Sequence, residues 1–317
     1  MDSEEVRMAN SLRKKGMLLA ALGATLWGVN GTFADIVFSQ LNAPVEWVVG
    51  TRLSMAGLLI LLYSRFILKE AIFSIFKQKS SLVQLLLFSL IGMVSCQYLF
   101  FLSIGINGAG LATILQFVSP IIIYLYLVMR REKVVYPREI LYILMSVVGI
   151  ILVVTKGNFA QLDVSVSGLL VGLGSAIGVA FYTLQPRQLL KEFGSPIVVG
   201  WGMLIGGGFF QFIHPIWRPG FEVDGKVVLY MAFIVIIGTA LAFTLFLASI
   251  NYIEPSLSNI LAALEPLVAN ILTVLLLKQE WSFVQVTGIF IVLVSVILFA
   301  NYGEKLKRLS VTMHTID

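Results

Sequence analysis

The chain has 317 residues, 58% hydrophobic and only 12% charged, with a net charge of +5 and a mean hydropathy of +0.95. A soluble domain carries about 25% charged residues, so this composition excludes a water-soluble fold and makes the bilayer the solvent for most of the chain. The positive excess does not signal nucleic acid, because the basic residues sit in short loops between apolar runs, and the lone Cys96 with the distant His214 and His314 forms no disulfide and no zinc motif.

A span needs about 20 mostly apolar residues. The first 16 residues form a polar tail that carries Arg13, Lys14 and Lys15. A basic stretch ahead of an apolar run resembles a signal peptide. Here the run continues to about Phe38, long enough to span, and many spans follow, so it is expected to be retained. Ten spans are predicted, at about 17–37, 44–64, 82–102, 108–129, 139–156, 167–186, 195–216, 228–250, 256–277 and 283–302. A second tail covers 303–317. The short connections Ser103–Asn107, Asn251–Pro255 and Lys278–Ser282 predict antiparallel hairpins.

Ten spans put both termini on one side. With the N-terminus cytoplasmic, the inner loops hold 17 Lys and Arg. The outer loops hold 4, namely Lys156, Arg218, Lys226 and Lys278, and the remaining one, Arg52, lies inside a span. This bias predicts that both termini are cytoplasmic.

The chain also says one thing twice. Ile91 to Pro120 aligns without a gap with Ile237 to Pro266, at an offset of 146 residues. Gly92/Gly238, Ser103/Ser249, Leu115/Leu261 and Pro120/Pro266 are among the matches. Two five-span units follow, 17–156 and 157–302. Because five is odd, the second unit enters the membrane from the opposite face, which makes the repeat inverted. Inverted halves that meet at broken helices are the usual build of a secondary transporter.

Pro120 and Pro266 lie mid-span. Each removes a backbone donor and is expected to free the carbonyl four residues earlier, Gln116 or Ala262. These kinks are expected either to line a cavity or to serve packing. Glu265 sits beside Pro266, where an unpaired charge costs about 2.5 kcal/mol or more. It is a candidate proton carrier or a structural ion pair. Arg52 is a candidate anchor for an anionic group, or a partner of Glu265 or Glu46. Trp27 with Asn30, and Tyr182 with Gln185, have the same spacing in equivalent spans and suggest a pocket for a small polar molecule. Tyr98, Gln116 and Asn259 join them as cavity candidates, alongside Gln97, Trp201 and Gln211, with ordinary helix–helix hydrogen bonding as the alternative for each. Gly168, Gly172, Gly174 and Gly178, and Gly202 with Gly206, Gly207 and Gly208, predict close helix approach. No phosphate loop, nucleophile elbow or metal cluster is present in the sequence, so neither an enzyme nor a resident cofactor or metal is expected.

Several motifs together resemble those of the drug/metabolite transporter superfamily, EamA type, over about 17–302. They are Trp27-Gly28-Val29-Asn30, Arg52-Leu53, the Leu102 to Pro120 segment, Leu264-Glu265-Pro266-Leu267 and Glu280. Gly178 stands where the family often has Trp, and Lys278-Gln279-Glu280 lacks the usual glycine. The resemblance implies ten helices in inverted halves around a central cavity. It also implies alternating access, often outward, for amino acids, other metabolites or drugs.

The expectation is therefore an all-α integral membrane protein of the plasma membrane. It acts as a secondary transporter, with export the expected direction and proton coupling an open option. Its partners are a small solute and the bilayer, with no nucleic acid. The alternative is a non-transporting receptor or scaffold with the same bundle.

Overall fold

A computed structural model describes residues 3–39, 43–159, 165–277 and 282–314, and no strand occurs among them. The helices are α1 (Ser3–Ser39), α2 (Val45–Phe66), α3 (Lys79–Leu87), α4 (Ser95–Gln116), α5 (Ser119–Met129), α6 (Pro137–Thr155) and α7 (Val166–Leu184). They continue as α8 (Arg187–Phe193), α9 (Ser195–Gln211), α10 (Gly225–Val235), α11 (Ala242–Ser249), α12 (Pro255–Leu261), α13 (Leu264–Leu277) and α14 (Phe283–His314). The polar tails continue as helix, since α1 begins at Ser3 and α14 runs to His314. The Lys278–Ser282 turn, with Gln279 and Glu280, lies outside the described residues except for Ser282.

Among the described residues, eight helical segments are long and apolar enough to cross a membrane: Val45–Phe66, Lys79–Ile104, Leu111–Met129, Pro137–Thr155, Val166–Phe193, Gly225–Ser249, Pro255–Leu272 and Phe283–Tyr302. The other two predicted spans fall on α1 and α9. α9 has 17 residues, at the short limit of about 17 for a span.

Two segments wind wider than an α-helix. Phe88–Val94, between α3 and α4, and Ile236–Leu241, between α10 and α11, are π-helical. They fall at matching places in the two aligned copies. π-Bulges are rare, and many lie at functional sites.

The expected hairpin near Ser103–Asn107 is present but has no irregular loop. Helical backbone runs through Ser95–Gln116, and a straight helix would hold Cys96 and Gln116 about 30 Å apart. Instead Gln116 Nε2 lies 4.0 Å from Cys96 Sγ. Gly172 and Gly174, neighbours on α7, lie against Leu115 and Leu99 respectively. The chain therefore folds back within α4.

The main helix pairs are α2 with α9, α6 with α14, α4 with α7, and α1 with both α11 and α13. In α2–α9 the backbones nearly touch. A Cβ added at Gly57 would lie 2.5 Å from Leu204 N, and one at Gly207 2.3 Å from Ser54 N. Such approach lets helices pack where lipid supplies no hydrophobic drive. The core runs through the bundle centre and includes Phe88, Phe246, Leu53 and Met203.

Candidate functional site

Each π segment packs against one residue expected to line the centre. The Asn30 amide of α1 sits on Gly238, where an added Cβ would come within 2.1 Å of Asn30 Cγ. Tyr182 of α7 sits on Gly92, with its Cβ 3.0 Å from the same hypothetical atom. Equivalent glycines thus each receive one predicted cavity residue.

Trp27 packs between Phe243 and Phe246, with ring centroids 4.7 and 4.8 Å away, and Tyr182 lies 5.9 Å from Phe243. Trp27 and Asn30 are 8% and 6% exposed. Among the described residues, neither Trp27 Nε1 nor Asn30 Oδ1 has a hydrogen-bond partner. Leaving a buried donor or acceptor unsatisfied costs about 1–3 kcal/mol. One donor and one acceptor, three residues apart on one helix face, are thus left without a partner among the described residues.

Arg52 is 4% exposed. Its Nε donates to Thr239 Oγ1 at 3.2 Å, and Thr239 lies in the second π segment beside Gly238. The guanidinium also stands over the Phe101 ring at 5.4 Å. Glu265 is close enough to act on Arg52 electrostatically, but no ion pair within 4.0 Å joins them among the described residues. Glu265 is only partly buried, and its backbone carbonyl lies against Gly28 of α1. Glu46 does not reach Arg52; its carboxylate accepts instead from the Tyr98 hydroxyl at 3.1 Å.

The proline kinks are helix breaks. α4 ends at Gln116 and α5 begins at Ser119, so Pro120 lies in the first turn of a new helix. α12 ends at Leu261 and α13 begins at Leu264, which puts Pro266 in the first turn of α13. Proline is tolerated there because the missing N–H would be unpaired anyway. The Ala262 carbonyl, expected to be freed, accepts from Glu265 N at 2.9 Å. At the breaks the Ser119 hydroxyl donates to Asn259 Oδ1 at 2.8 Å, and Asn259 Nδ2 makes a long 3.4 Å bond to Thr183 Oγ1. This buried relay ties α5, α12 and α7 together. Ser119 and Glu265 are repeat equivalents.

Other predicted residues lie away from this centre. Gln185 Nε2 donates to the Gln84 carbonyl at 2.9 Å and lines a lateral groove. Trp201 Nε1 donates to Ile72 O, and Gln211 reaches Ser54 Oγ and Ile216 N. Sequence reasoning missed Thr183, Thr239 and the two glycines as parts of the centre. The Gly92/Gly238 match was the available signal.

The EamA-like transporter family model matches residues 14–155 and again 166–301. A protein named uncharacterized inner membrane transporter YicL, of Salmonella typhimurium LT2, is 35% identical over 93% of this chain and 98% of its own length. The threonine/homoserine exporter RhtA of Escherichia coli K12 is 25% identical over 94% of this chain and 95% of its own. A solved crystal structure with 14% identity superposes at a TM-score of 0.79, covering 92% of this chain and 99% of that one, which shows a shared fold. Together with the apolar helices, these matches make the chain a multi-pass plasma-membrane transporter of a small molecule. The chain belongs to the EamA-like transporter family, within the drug/metabolite transporter superfamily.

Proposed function

We propose that this transporter exports an amino acid or a similar small zwitterion by alternating access at the bundle centre. The observation that carries this reading is the grouping of Trp27 Nε1 and Asn30 Oδ1, both unpartnered among the described residues, with Arg52 and Glu265. A cation and an anion that share one region without pairing suit a solute with both charges. Arg52 takes the carboxylate and Glu265 the ammonium group, while Trp27 and Tyr182 cover the apolar part. Glu265 also serves as the proton-coupling carboxylate, since it is the acidic residue beside a break in mid-span. The name of RhtA, a threonine/homoserine exporter, makes those two amino acids the first to test.

The reading includes ten spans in inverted halves with both termini cytoplasmic. α1 and α9 supply the two crossings beyond the eight apolar ones. The helix pairs support this, because exchanging the halves maps α2–α9 and α6–α14 onto themselves and α4–α7 onto α1–α11. The breaks at 117–118 and 262–263 likewise fall within one residue of each other at the repeat offset of 146. Discontinuous helices at a repeat interface suit a site served from alternate sides.

The test is efflux from proteoliposomes loaded with radiolabelled threonine, homoserine or other amino acids, organic acids or cationic dyes, with and without a pH gradient. Amino-acid efflux that Arg52→Gln and Glu265→Gln each abolish is expected. Efflux no faster than from protein-free liposomes across the whole panel overturns the reading.

A further inference from the structure

A groove of about 730 Å³ lies beside the bundle, away from the centre. Its apolar wall comes from α5 and α7, where Ile122, Tyr126, Ile177 and Phe181 face outward. Tyr126 and Ile177 are 41% and 59% exposed, which in a membrane means contact with lipid. One end carries Arg130, Arg187 and Lys191, at the foot of α5 and along α8, with Glu132 as the acidic member.

The charges are not equivalent. Arg187 holds Glu132 in a two-point bond, with Nη1 at 2.8 Å from one carboxylate oxygen and Nη2 at 3.3 Å from the other. That pair is neutral overall. Arg130 and Lys191 are exposed and add two uncompensated positive charges to the same rim. Gln185, which also lines the groove, has an Oε1 with no partner among the described residues. The transport centre uses none of these groups.

An apolar wall that opens sideways into the bilayer and ends in paired cations has the chemistry of a phospholipid with a negatively charged headgroup. We infer that an anionic phospholipid of the cytoplasmic leaflet seats here, with its phosphate at Arg130 and Lys191 and an acyl chain along Ile122, Tyr126 and Ile177. The leaflet rests on the chain orientation proposed above. Basic pockets between membrane helices on the cytoplasmic side bind such headgroups, and each cation near an anionic surface adds to the attraction. Gln185 Oε1 accepts from a hydroxyl of the headgroup after a small side-chain rotation.

Native mass spectrometry of the full chain in detergent tests this with phosphatidylglycerol, phosphatidylcholine and inorganic phosphate as probes. The wild type is expected to retain phosphatidylglycerol at least roughly tenfold better than phosphatidylcholine. Arg130→Gln with Lys191→Gln, both on exposed positions, removes that preference. Ile177→Trp changes no charge but fills the wall, and lowers retention of phosphatidylglycerol. Equal retention of the two lipids by the wild type overturns the inference, as does a double variant that keeps the preference. Unchanged retention in Ile177→Trp removes the acyl seat and also overturns it. Displacement of phosphatidylglycerol by inorganic phosphate overturns it too, because the rim would then be a site for a soluble anion. Efflux from proteoliposomes is read separately, so failure here leaves the transport reading standing.

Discussion

At Gly238 the molecule has no room for one more carbon. An alanine Cβ would lie 2.1 Å from both Asn30 Cγ and Oδ1 and 2.5 Å from Asn30 Cβ, so the whole Asn30 side chain must move. Overpacking of this kind costs about 1–3 kcal/mol, and here it also displaces a proposed solute ligand. Gly238→Ala is expected to lower efflux at least tenfold and to lower the melting temperature, whereas Gly208→Ala, with nothing within 4 Å of its added Cβ, leaves both unchanged. At the breaks, Ser119→Ala removes the donor to Asn259 Oδ1 and is expected to cost about 1 kcal/mol, while Ser119→Thr retains the hydroxyl and the stability. A thermal melt in detergent compares the three proteins. The glycine pair was visible in the sequence as one match among many. Its meaning was not, because a π segment keeps the composition of an ordinary apolar helix and only the hydrogen-bond ladder tells them apart.

Elements were legible where one physical rule dominates. The bilayer forces long apolar helices, so the positions of most spans followed from hydropathy alone. The offset of 146 residues pairs Pro120 with Pro266, and each lies in the first turn after a helix break where a mid-span kink was expected. The nature of those breaks was not legible. A proline inside a continuous helix and a proline in the first turn of a second helix read alike, and the difference lies in whether a residue such as Ala262 bonds three or four positions onward. Pro266→Ala offers Ala262 O a second donor four residues on, which favours fusing α12 with α13. The expected result is a melting temperature at or above that of the wild type with slower turnover, since a fused helix cannot flex at the centre. Hydrogen exchange checks it: amides 263–265 gain protection if the helices fuse. Turnover equal to wild type despite that gain would separate the break from transport. The Arg52 partner was also hidden. Thr239 is 187 positions away, and no periodicity brings α2 onto a π segment of the other half.

At the scale of the whole molecule, two ion-pair groups among the described residues join the halves at one face. The loop between α5 and α6 carries Glu132 and Lys133 side by side. Glu132 holds Arg187 of the second half, and Lys133 bridges Glu139 at 3.1 Å and Glu254 of the second half at 2.6 Å. The two groups differ in worth because they differ in burial. Lys133 and Glu139 have side chains only 9% and 2% exposed, and breaking a buried pair by removing one partner costs about 3–5 kcal/mol. Lys133→Met therefore is expected to lower the melting temperature strongly. The Glu132–Arg187 pair is far more exposed, and such pairs contribute about 0–1 kcal/mol, so Glu132→Gln is expected to shift it little at neutral pH. The small difference has a sign that pH can check. The Arg187 guanidinium, through its hydrogen bonds, holds the Glu132 carboxyl below its usual range. A carboxyl whose folded pKa is depressed binds fewer protons when folded than when unfolded, so its contribution is complete above the unfolded value of about 4.3 and fades as pH falls through the folded one. Wild type and Glu132→Gln should thus differ in melting temperature at pH 7 and converge as pH falls below the unfolded value of about 4.3 and through the folded one. A gap that widens on acidification would mean that Arg187 does not hold Glu132 in solution, and the ion pairs across this face would then be those of Lys133 among the described residues.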